Sequence, residues 1–137
     1  LRAPGIYAAE RLPLERLQCG IPALIAAEDV YSNHIHADDL AQACVLALHR
    51  GKPNRVYNVV DHSDLRMADY FDLVAQHFAL PRPPRLPRTE LAQVVSPMQL
   101  SFMQESRRIK NERCLQELGL SLLYPDITAG LAAEGVR

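Results

Sequence analysis

The sequence predicts an α/β fold in which short parallel strands alternate with helices. Between residues 34 and 60 a strand, a helix and a second strand follow one another, and the second strand is β-branched and almost continuously apolar. A strand of that kind suits a parallel sheet covered on both faces better than a half-exposed antiparallel one. The chain also opens on a strand that runs directly into a Pro-Gly loop. We therefore expect the tail of a parallel sheet whose other strands lie outside this sequence.

The composition is that of an ordinary globular protein and excludes several functional classes. Of the 137 residues, 48% are hydrophobic and 23% are charged, and the formal net charge is −1. Such a chain lacks the basic field that attracts nucleic acid or an anionic membrane. No apolar run approaches the roughly 18–20 residues of a membrane span. The cysteines (Cys19, Cys44 and Cys114) fit neither a disulfide framework nor a zinc site, so we expect a reduced, cytoplasmic protein without a metal.

The segment before residue 37 alternates between short strands, turns and one short helix. Gly20 predicts the end of the helix. The last strand is predicted because apolar Ile35 alternates with the polar histidines on either side of it. The predicted elements are a strand and loop over residues 1–7, a helix around Pro13–Gln18 that stops at Gly20, a short apolar run over Ala23–Ala27, a polar turn over residues 28–33 and a brief strand over His34–His36.

The clearest predicted helix begins after His36. Asp38 and Asp39 can each cap it by accepting a hydrogen bond from a free backbone N–H. Four residues at helical spacing predict one apolar face, and the free thiol among them behaves as a small hydrophobe. These residues are Leu40, Cys44, Ala47 and Leu48. A cationic last turn and Gly51 then end the helix.

The segment after residue 50 combines one buried strand, a proline-rich stretch and several helices. Val56–Val60 is the predicted parallel strand, and Pro81–Arg88 is predicted to be an extended internal connector rather than a ligand of a polyproline-binding partner. The predicted helices are Met67–Phe78, Thr89–Val95, Met98–Arg108 with its cap at Ser96-Pro97, Asn111–Leu118 ended by Gly119, and residues 126–133. Two domains follow from this order, a sheet-bearing one over residues 1–62 and a mainly helical one over residues 63–137.

Four segments of the chain, in this order, resemble a known family. They read LRAPGIYA, NHIHADDLAQACVLAL, RVYNVVD and RRIKNERCLQELGL-SLLYP. Together they resemble the C-terminal half of an extended short-chain dehydrogenase/reductase, the NAD-dependent epimerase/dehydratase family. The resemblance covers nearly the whole chain. It implies the C-terminal part of a Rossmann-like parallel sheet domain plus a small, mainly helical substrate-side domain, with NAD or NADP as the cofactor of the parent protein.

The resemblance implies that the opening loop packs against the cofactor and forms a wall of the active site. The residues that match are Pro4, Gly5, Ile6 and Tyr7. Glycine permits this role because backbone without a Cβ can approach a ligand closely. A plain strand-to-loop turn is the alternative interpretation, and Ala8-Ala9 stands where the family usually has Gly-Pro.

Substrate-binding roles are implied for His34, Asn58 and Arg107. His34 stands where the subgroup commonly has an arginine, and a neutral imidazole would bind an anionic group more weakly. Asn58 and Asp61 lie toward the carboxyl end of the predicted strand, where ligands bind in open α/β sheets. Arg107 belongs to a cationic cluster that can bind phosphate or carboxylate. Contacts with neighbouring loops for Asn58 and a solvated helix face for Arg107 are the structural alternatives.

The histidines and aspartates at residues 34–39 also permit a metal site or a His–Asp catalytic pair. A structural role is the favoured interpretation, since the aspartates are explained as helix caps and His36 as a structural hydrogen-bonding residue. We therefore predict no metal site in this segment.

Two features that the family's chemistry needs are missing from this sequence. It has no glycine-rich turn to seat a pyrophosphate. None of its five tyrosines is followed four positions later by the lysine of a Tyr-x-x-x-Lys pair. We therefore name no catalytic residue and expect this chain to be inactive alone.

Two functions stay open at this point. The chain supplies the substrate-side portion of an NAD(P)-dependent oxidoreductase or epimerase, or it belongs to a non-catalytic dinucleotide-binding sensor or scaffold of the same fold. The expected partner is a small-molecule substrate, either sugar-like or nucleotide-linked. A homodimer is left open, whereas nucleic acid and membrane are not expected as partners.

Overall fold

The computed structural model describes residues 1–134 and confirms the α/β class. The strands are β1 (Gly5–Tyr7), β2 (Ala23–Leu24), β3 (Tyr31–Ser32), β4 (His34–His36), β5 (Leu65–Arg66) and β6 (Arg85–Leu86). The helices are α1 (Leu14–Gln18), α2 (Ala37–Arg50), α3 (Met67–His77), α4 (Arg88–Leu91), α5 (Pro97–Phe102) and α6 (Ile127–Glu134). A π-helical segment (Cys114–Leu118) and two 3-10 turns (Ala9–Arg11 and Ala26–Glu28) complete the described elements. Within residues 1–134 no helix has the length and apolarity to span a membrane.

The first of two compact units contains most of the parallel pairing. It comprises Leu1–Arg11, Asn33–Ser63 and Arg108–Glu134. In it β1 pairs in parallel with β4, and a separate parallel bridge joins Arg2 to Asn58. Its core is formed where α2 and the π-helical segment cover these strands, and it consists of Ile35, Ala43, Tyr57, Val59, Cys114, Leu118 and Leu120.

The second unit is built from two pairs of very short strands and the helices beside them. Its described residues are Leu12–Ser32 and Asp64–Arg107. In this unit β2 pairs in parallel with β6, and β3 pairs antiparallel to β5. One of its apolar clusters consists of Leu24, Leu91, Val95 and Met103.

The two units are interleaved along the sequence, whereas the prediction divides the chain once, near residue 62. Residues 12–32 pack with residues 64–107 because β2 and β3 find their strand partners there. The linear order of the elements does not contain this information. The predicted domains, 1–62 and 63–137, stay a prediction about the parent protein, and residues 135–137 lie outside the described part.

The start of α2 is held differently from the prediction. His36 is the residue that caps the helix, because its Nδ1 accepts a hydrogen bond from the backbone N–H of Asp38 at 3.1 Å. Asp39 is fully buried, and its two carboxylate oxygens accept the backbone N–H groups of Leu123 at 2.8 Å and Tyr124 at 3.0 Å. Neither aspartate is the cap, since Asp39 has a partner far away in the sequence.

The face of α2 that packs into the core matches the predicted one at Leu40 and Ala47 and differs from it at Cys44 and Leu48. Ala43 is its fully buried apolar residue, and Leu40, Leu46 and Ala47 pack partly buried beside it. Cys44 is exposed, and Leu48 is 85% exposed. The helix is apolar on more than one side, so the periodicity alone does not decide which side meets the core.

Several local signals give the expected structure. Ser96 and Gln99 form a reciprocal capping box at the start of α5, with Pro97 in the first turn. Gly119 ends the π-helical segment in the left-handed conformation, with φ at 70°.

Two predicted elements are shorter than expected. The strand expected over residues 56–60 is reduced to the bridge at Asn58, and the helix expected to reach Arg108 ends at Phe102.

Replacing Asp39 is expected to test the buried link between α2 and the segment at residues 123–124. Asp39→Asn puts an N–H₂ group against a backbone N–H that needs an acceptor, which costs about 1–3 kcal/mol of the free energy of unfolding. Asp38→Asn is the matched control, because that side chain is 66% exposed, and it is expected to cost less than about 0.5 kcal/mol. Urea unfolding followed by circular dichroism measures both. Equal losses for the two variants would contradict the assigned role.

Candidate functional site

The pairing of β1 with β4 brings two of the predicted site residues together. Gly5 lies directly opposite His34 in the parallel register, and its backbone N–H donates to the carbonyl of Asn33 at 3.2 Å. A Cβ built on Gly5 would lie 3.2 Å from that carbonyl oxygen and 3.4 Å from Nδ1 of His34. Gly5 is exposed, so part of its backbone is accessible. The close approach explains why a glycine suits this position.

His34 is buried and electrically neutral at pH 7. Its residue is 6% exposed, and burial lowers the pKa of the imidazole to about 4. Desolvation disfavours the charged form of a histidine, which is the cause of this shift. His34 therefore does not replace the positive charge that an arginine would present to an anionic substrate.

Tyr7 is committed to the packing of α6. It is 1% exposed, and its hydroxyl donates to the backbone carbonyl of Asp126 at 3.3 Å. The ring lies so close to Gly130 that a Cβ there would come within 2.1 Å of the tyrosine oxygen. Pro4 and Ile6, the other predicted cofactor-binding residues, are half-buried. Of the opening loop, Gly5 is thus the residue whose surface is exposed.

His36 ties the start of α2 to the end of α6. Because Nδ1 accepts the N–H of Asp38, Nε2 carries the proton, and it lies 2.9 Å from the Glu134 carboxylate. The ring also packs edge-on to Tyr7, with centroids 5.1 Å apart, and against the ring of Tyr124 at 4.0 Å. Within residues 1–134 no group of three or more potential side-chain ligands is arranged to hold a metal ion. The geometry of His36 is that of a positioning residue.

Asp61 combines burial with an unsatisfied oxygen. It is 5% exposed, and its Oδ1 accepts the backbone N–H of Ser63 at 2.8 Å. Its Oδ2 has no hydrogen-bond partner among the described residues. Burial raises the pKa of this carboxyl to about 6, and the nearby charges of Asp126 and Asp39 act in the same direction. Buried carboxyls that titrate close to neutrality are enriched at functional sites.

The segment after Asp61 supports the start of α6. Ser63 Oγ accepts the backbone N–H of Ile127 at 3.0 Å, and the N–H of His62 donates to the carbonyl of Pro125 at 2.8 Å. The ionisable group at Asp61 thus lies beside a helix start that is held by hydrogen bonds. The sequence signal for this site was the run of polar residues directly after the apolar strand.

The other two predicted substrate residues lie in different units. Asn58 is half-buried and forms the bridge to Arg2, so its backbone belongs to the parallel pairing of the first unit. Arg107 belongs to the second unit, where it lies on the surface 3.2 Å from the Glu105 carboxylate. Their roles in binding substrate stay predictions.

Comparison with known proteins finds solved structures with the same fold. No protein-family model and no curated protein matches the sequence. A functionally unknown conserved protein from Silicibacter pomeroyi is 34% identical with a TM-score of 0.85, and the match covers 97% of this chain and 46% of that one. A protein from Methylobacillus flagellatus, provisionally named an NAD-dependent epimerase/dehydratase, is 27% identical with a TM-score of 0.62. The resemblance to the NAD-dependent epimerase/dehydratase family is confirmed.

A third structure shows the same epimerase fold with a bound nucleotide. The human epimerase family protein SDR39U1 (isoform 2), solved with NADPH, is 20% identical with a TM-score of 0.76. The match covers 96% of this chain and 46% of the human chain, and the coverage of the Methylobacillus protein is 96% and 44%. The chain therefore spans less than half the length of these epimerase-family structures.

The burial of Asp61 predicts a pH dependence of stability. Its pKa is about 6 in the folded protein and near 3.8 without burial, so the folded state holds the proton more tightly. Stability is then fully present below about pH 4 and is lost as pH rises toward 6, by about 2–3 kcal/mol in total. Asp61→Asn removes this loss, whereas the exposed control Asp38→Asn retains it. Urea unfolding between pH 4 and 7 measures the slope, and equal slopes for wild type and Asp61→Asn would contradict the assignment.

Proposed function

We propose that this chain is the substrate-side portion of an NAD(P)-dependent oxidoreductase or epimerase. The observation that carries the proposal is the register of β1 against β4, which sets the exposed backbone of Gly5 directly opposite His34. The fold is that of the epimerase/dehydratase neighbours, and the chain accounts for less than half of their length. Both points support a role as one wall of a site completed by other parts of the parent protein.

The residues present fit one wall of a cofactor site. Gly5 offers exposed backbone with no Cβ, so a flat nicotinamide ring can lie against it. Pro4 and Ile6 flank this position, and Tyr7 anchors the loop to α6. The cofactor would supply the hydride acceptor or donor, while these residues exclude water and position the ring. The choice between NAD and NADP depends on residues that this sequence does not include.

The substrate side of the proposed site is polar with little charge. His34 stays neutral at pH 7, and Asn58 offers an amide for hydrogen bonding. Arg107, in the second unit, is a separate proposal: its guanidinium can bind a phosphate or carboxylate. These groups support a small-molecule substrate that is sugar-like or nucleotide-linked. The proposal includes a cytoplasmic location, supported by widely separated free cysteines, and it leaves monomer and homodimer open.

Gly5→Val in the intact parent protein tests the cofactor wall. The added side chain presses on the carbonyl of Asn33 and on His34 and so displaces the loop that would lie against the ring, and the affinity for NADH or NADPH is expected to fall about tenfold or more. Ala3→Val is the matched control, because this exposed residue lies two positions earlier on the same segment. Fluorescence titration of the reduced cofactor measures both. Unchanged affinity in Gly5→Val would contradict the proposal.

An activity assay on the intact protein distinguishes the oxidoreductase function from the function of a non-catalytic sensor or scaffold. The same wall at Gly5 would serve either one. Hydride transfer, followed by loss of the reduced-nicotinamide absorbance with sugar and nucleotide-sugar substrates, supports the enzyme. Tight cofactor binding with no turnover, together with a Gly-rich turn but no Tyr-x-x-x-Lys pair in the remaining sequence, would establish the sensor instead.

A further inference from the structure

The second unit contains a pocket whose lining residues are outside the set assigned to the proposed cofactor and substrate site. It has a volume of about 410 Å³, toward the lower end of the range for small-molecule sites. Two arginines, two aspartates and two apolar residues line it, namely Arg66, Arg85, Asp29, Asp69, Ile25 and Ala26. All six belong to the same unit, so the pocket is complete without any other part of the chain.

The two arginines are held in place by groups at the edge of the pocket. Arg85 donates from Nη2 to the Asp72 carboxylate at 2.5 Å and from Nη1 to the carbonyl of Leu24 at 3.3 Å. Arg66 donates from Nη1 to the carbonyl of Ala26 at 2.8 Å, and its guanidinium lies over the ring of Tyr31 at 5.5 Å. A guanidinium has five N–H donors, so each arginine keeps further donors for a ligand.

The two aspartates differ in how they are satisfied. Asp29 accepts the backbone N–H groups of Val30 at 2.9 Å and Ala68 at 3.1 Å, so both of its oxygens are held. Asp69 lies in the first turn of α3, is exposed, and has no hydrogen-bond or ion-pair partner among the residues that the structure describes. Its carboxylate is therefore available to a cationic group.

The aspartates and arginines of this pocket interact only at longer range: burial raises the pKa of Asp29 overall, although the charge of Arg85 lowers that pKa. Among the described residues, neither Asp29 nor Asp69 forms an ion pair with Arg66 or Arg85. An ordinary solvated surface places opposite charges where they pair loosely, whereas here each arginine is fixed by backbone or by Asp72. Separated donors and acceptors around an apolar patch are complementary to a molecule that itself carries both charges.

We propose that this pocket binds a small zwitterion with an apolar body, of the chemical class of an α-amino acid. The carboxylate of the ligand would lie on the free donors of Arg66 and Arg85, and its ammonium group on Asp69. The apolar body would cover Ile25 and Ala26. This proposal concerns binding within one unit, and it requires neither a cofactor nor the residues assigned to the proposed oxidoreductase site.

Three probes with the same apolar side chain test the contribution of each ligand charge to binding. L-leucine carries both, L-leucinamide carries the ammonium group alone, and 4-methylpentanoate carries the carboxylate alone. Titration of the intact protein by NMR is expected to give a dissociation constant for L-leucine of about 1 mM, and each single-charge analogue is expected to bind about tenfold more weakly. Equal binding of all three probes, or no binding of any at about 20 mM, would overturn the proposal.

Variants of the pocket assign each charge to its partner. Asp69→Asn is isosteric at an exposed position and is expected to abolish the preference for L-leucine over 4-methylpentanoate. Arg66→Gln is expected to abolish the preference for L-leucine over L-leucinamide. Glu90→Gln, an exposed acid in α4 outside the pocket, is the control and leaves both preferences unchanged. Preferences that survive in Asp69→Asn would overturn the assignment, whatever the outcome for the less exposed Arg66.

Discussion

The parallel pairing of β1 with β4 is the constraint on which the rest of the first unit depends. It sets Gly5 opposite His34 and Tyr7 opposite His36, so the register of this short pair fixes which residues are neighbours across the two strands. Gly5 permits the approach because it has no Cβ, and His34 beside it is buried. At the other end of the pair, Tyr7 and His36 pack together and reach α6.

The buried polar groups of the first unit differ in how the free-energy cost of their burial is offset. Asp39 is satisfied by two backbone N–H groups, and His36 by one N–H and one carboxylate. His34 avoids the cost of a buried charge by being neutral. Asp61 keeps an oxygen without a described partner, which is the costly state for a carboxylate in low dielectric. A fold retains such a group most readily where it has a function.

The sequence predicts the features whose causes are local. The capping box at Ser96, the left-handed end at Gly119 and the helix from Ile127 each depend on a few consecutive residues. Asp39 was misassigned as a cap because its partners at residues 123–124 are more than eighty positions away. The inclusion of Cys44 and Leu48 in the predicted core face of α2 has the same origin, since periodicity does not say which side of a helix meets the strands.

The sequence predicts only part of the candidate site, because the rest depends on contacts between distant parts of the chain. Gly5 and His34 were named from their resemblance to family motifs, and the register brings them together. Long-range packing buries Tyr7 under α6, and it leaves one Asp61 oxygen without a hydrogen-bond partner among residues 1–134. The pocket of the second unit unites residues from positions 25 to 85 through β2, β6 and α3, which no spacing in the sequence indicates.

The central claim is that the loop at residues 4–7 forms the wall beside the nicotinamide in the parent protein. A crystal structure of the intact protein with NADPH tests it most directly. The account predicts that the nicotinamide ring lies in van der Waals contact with the backbone of Gly5, with His34 uncharged behind it. A cofactor bound with its nicotinamide away from this loop, and with Gly5 facing solvent, would contradict it.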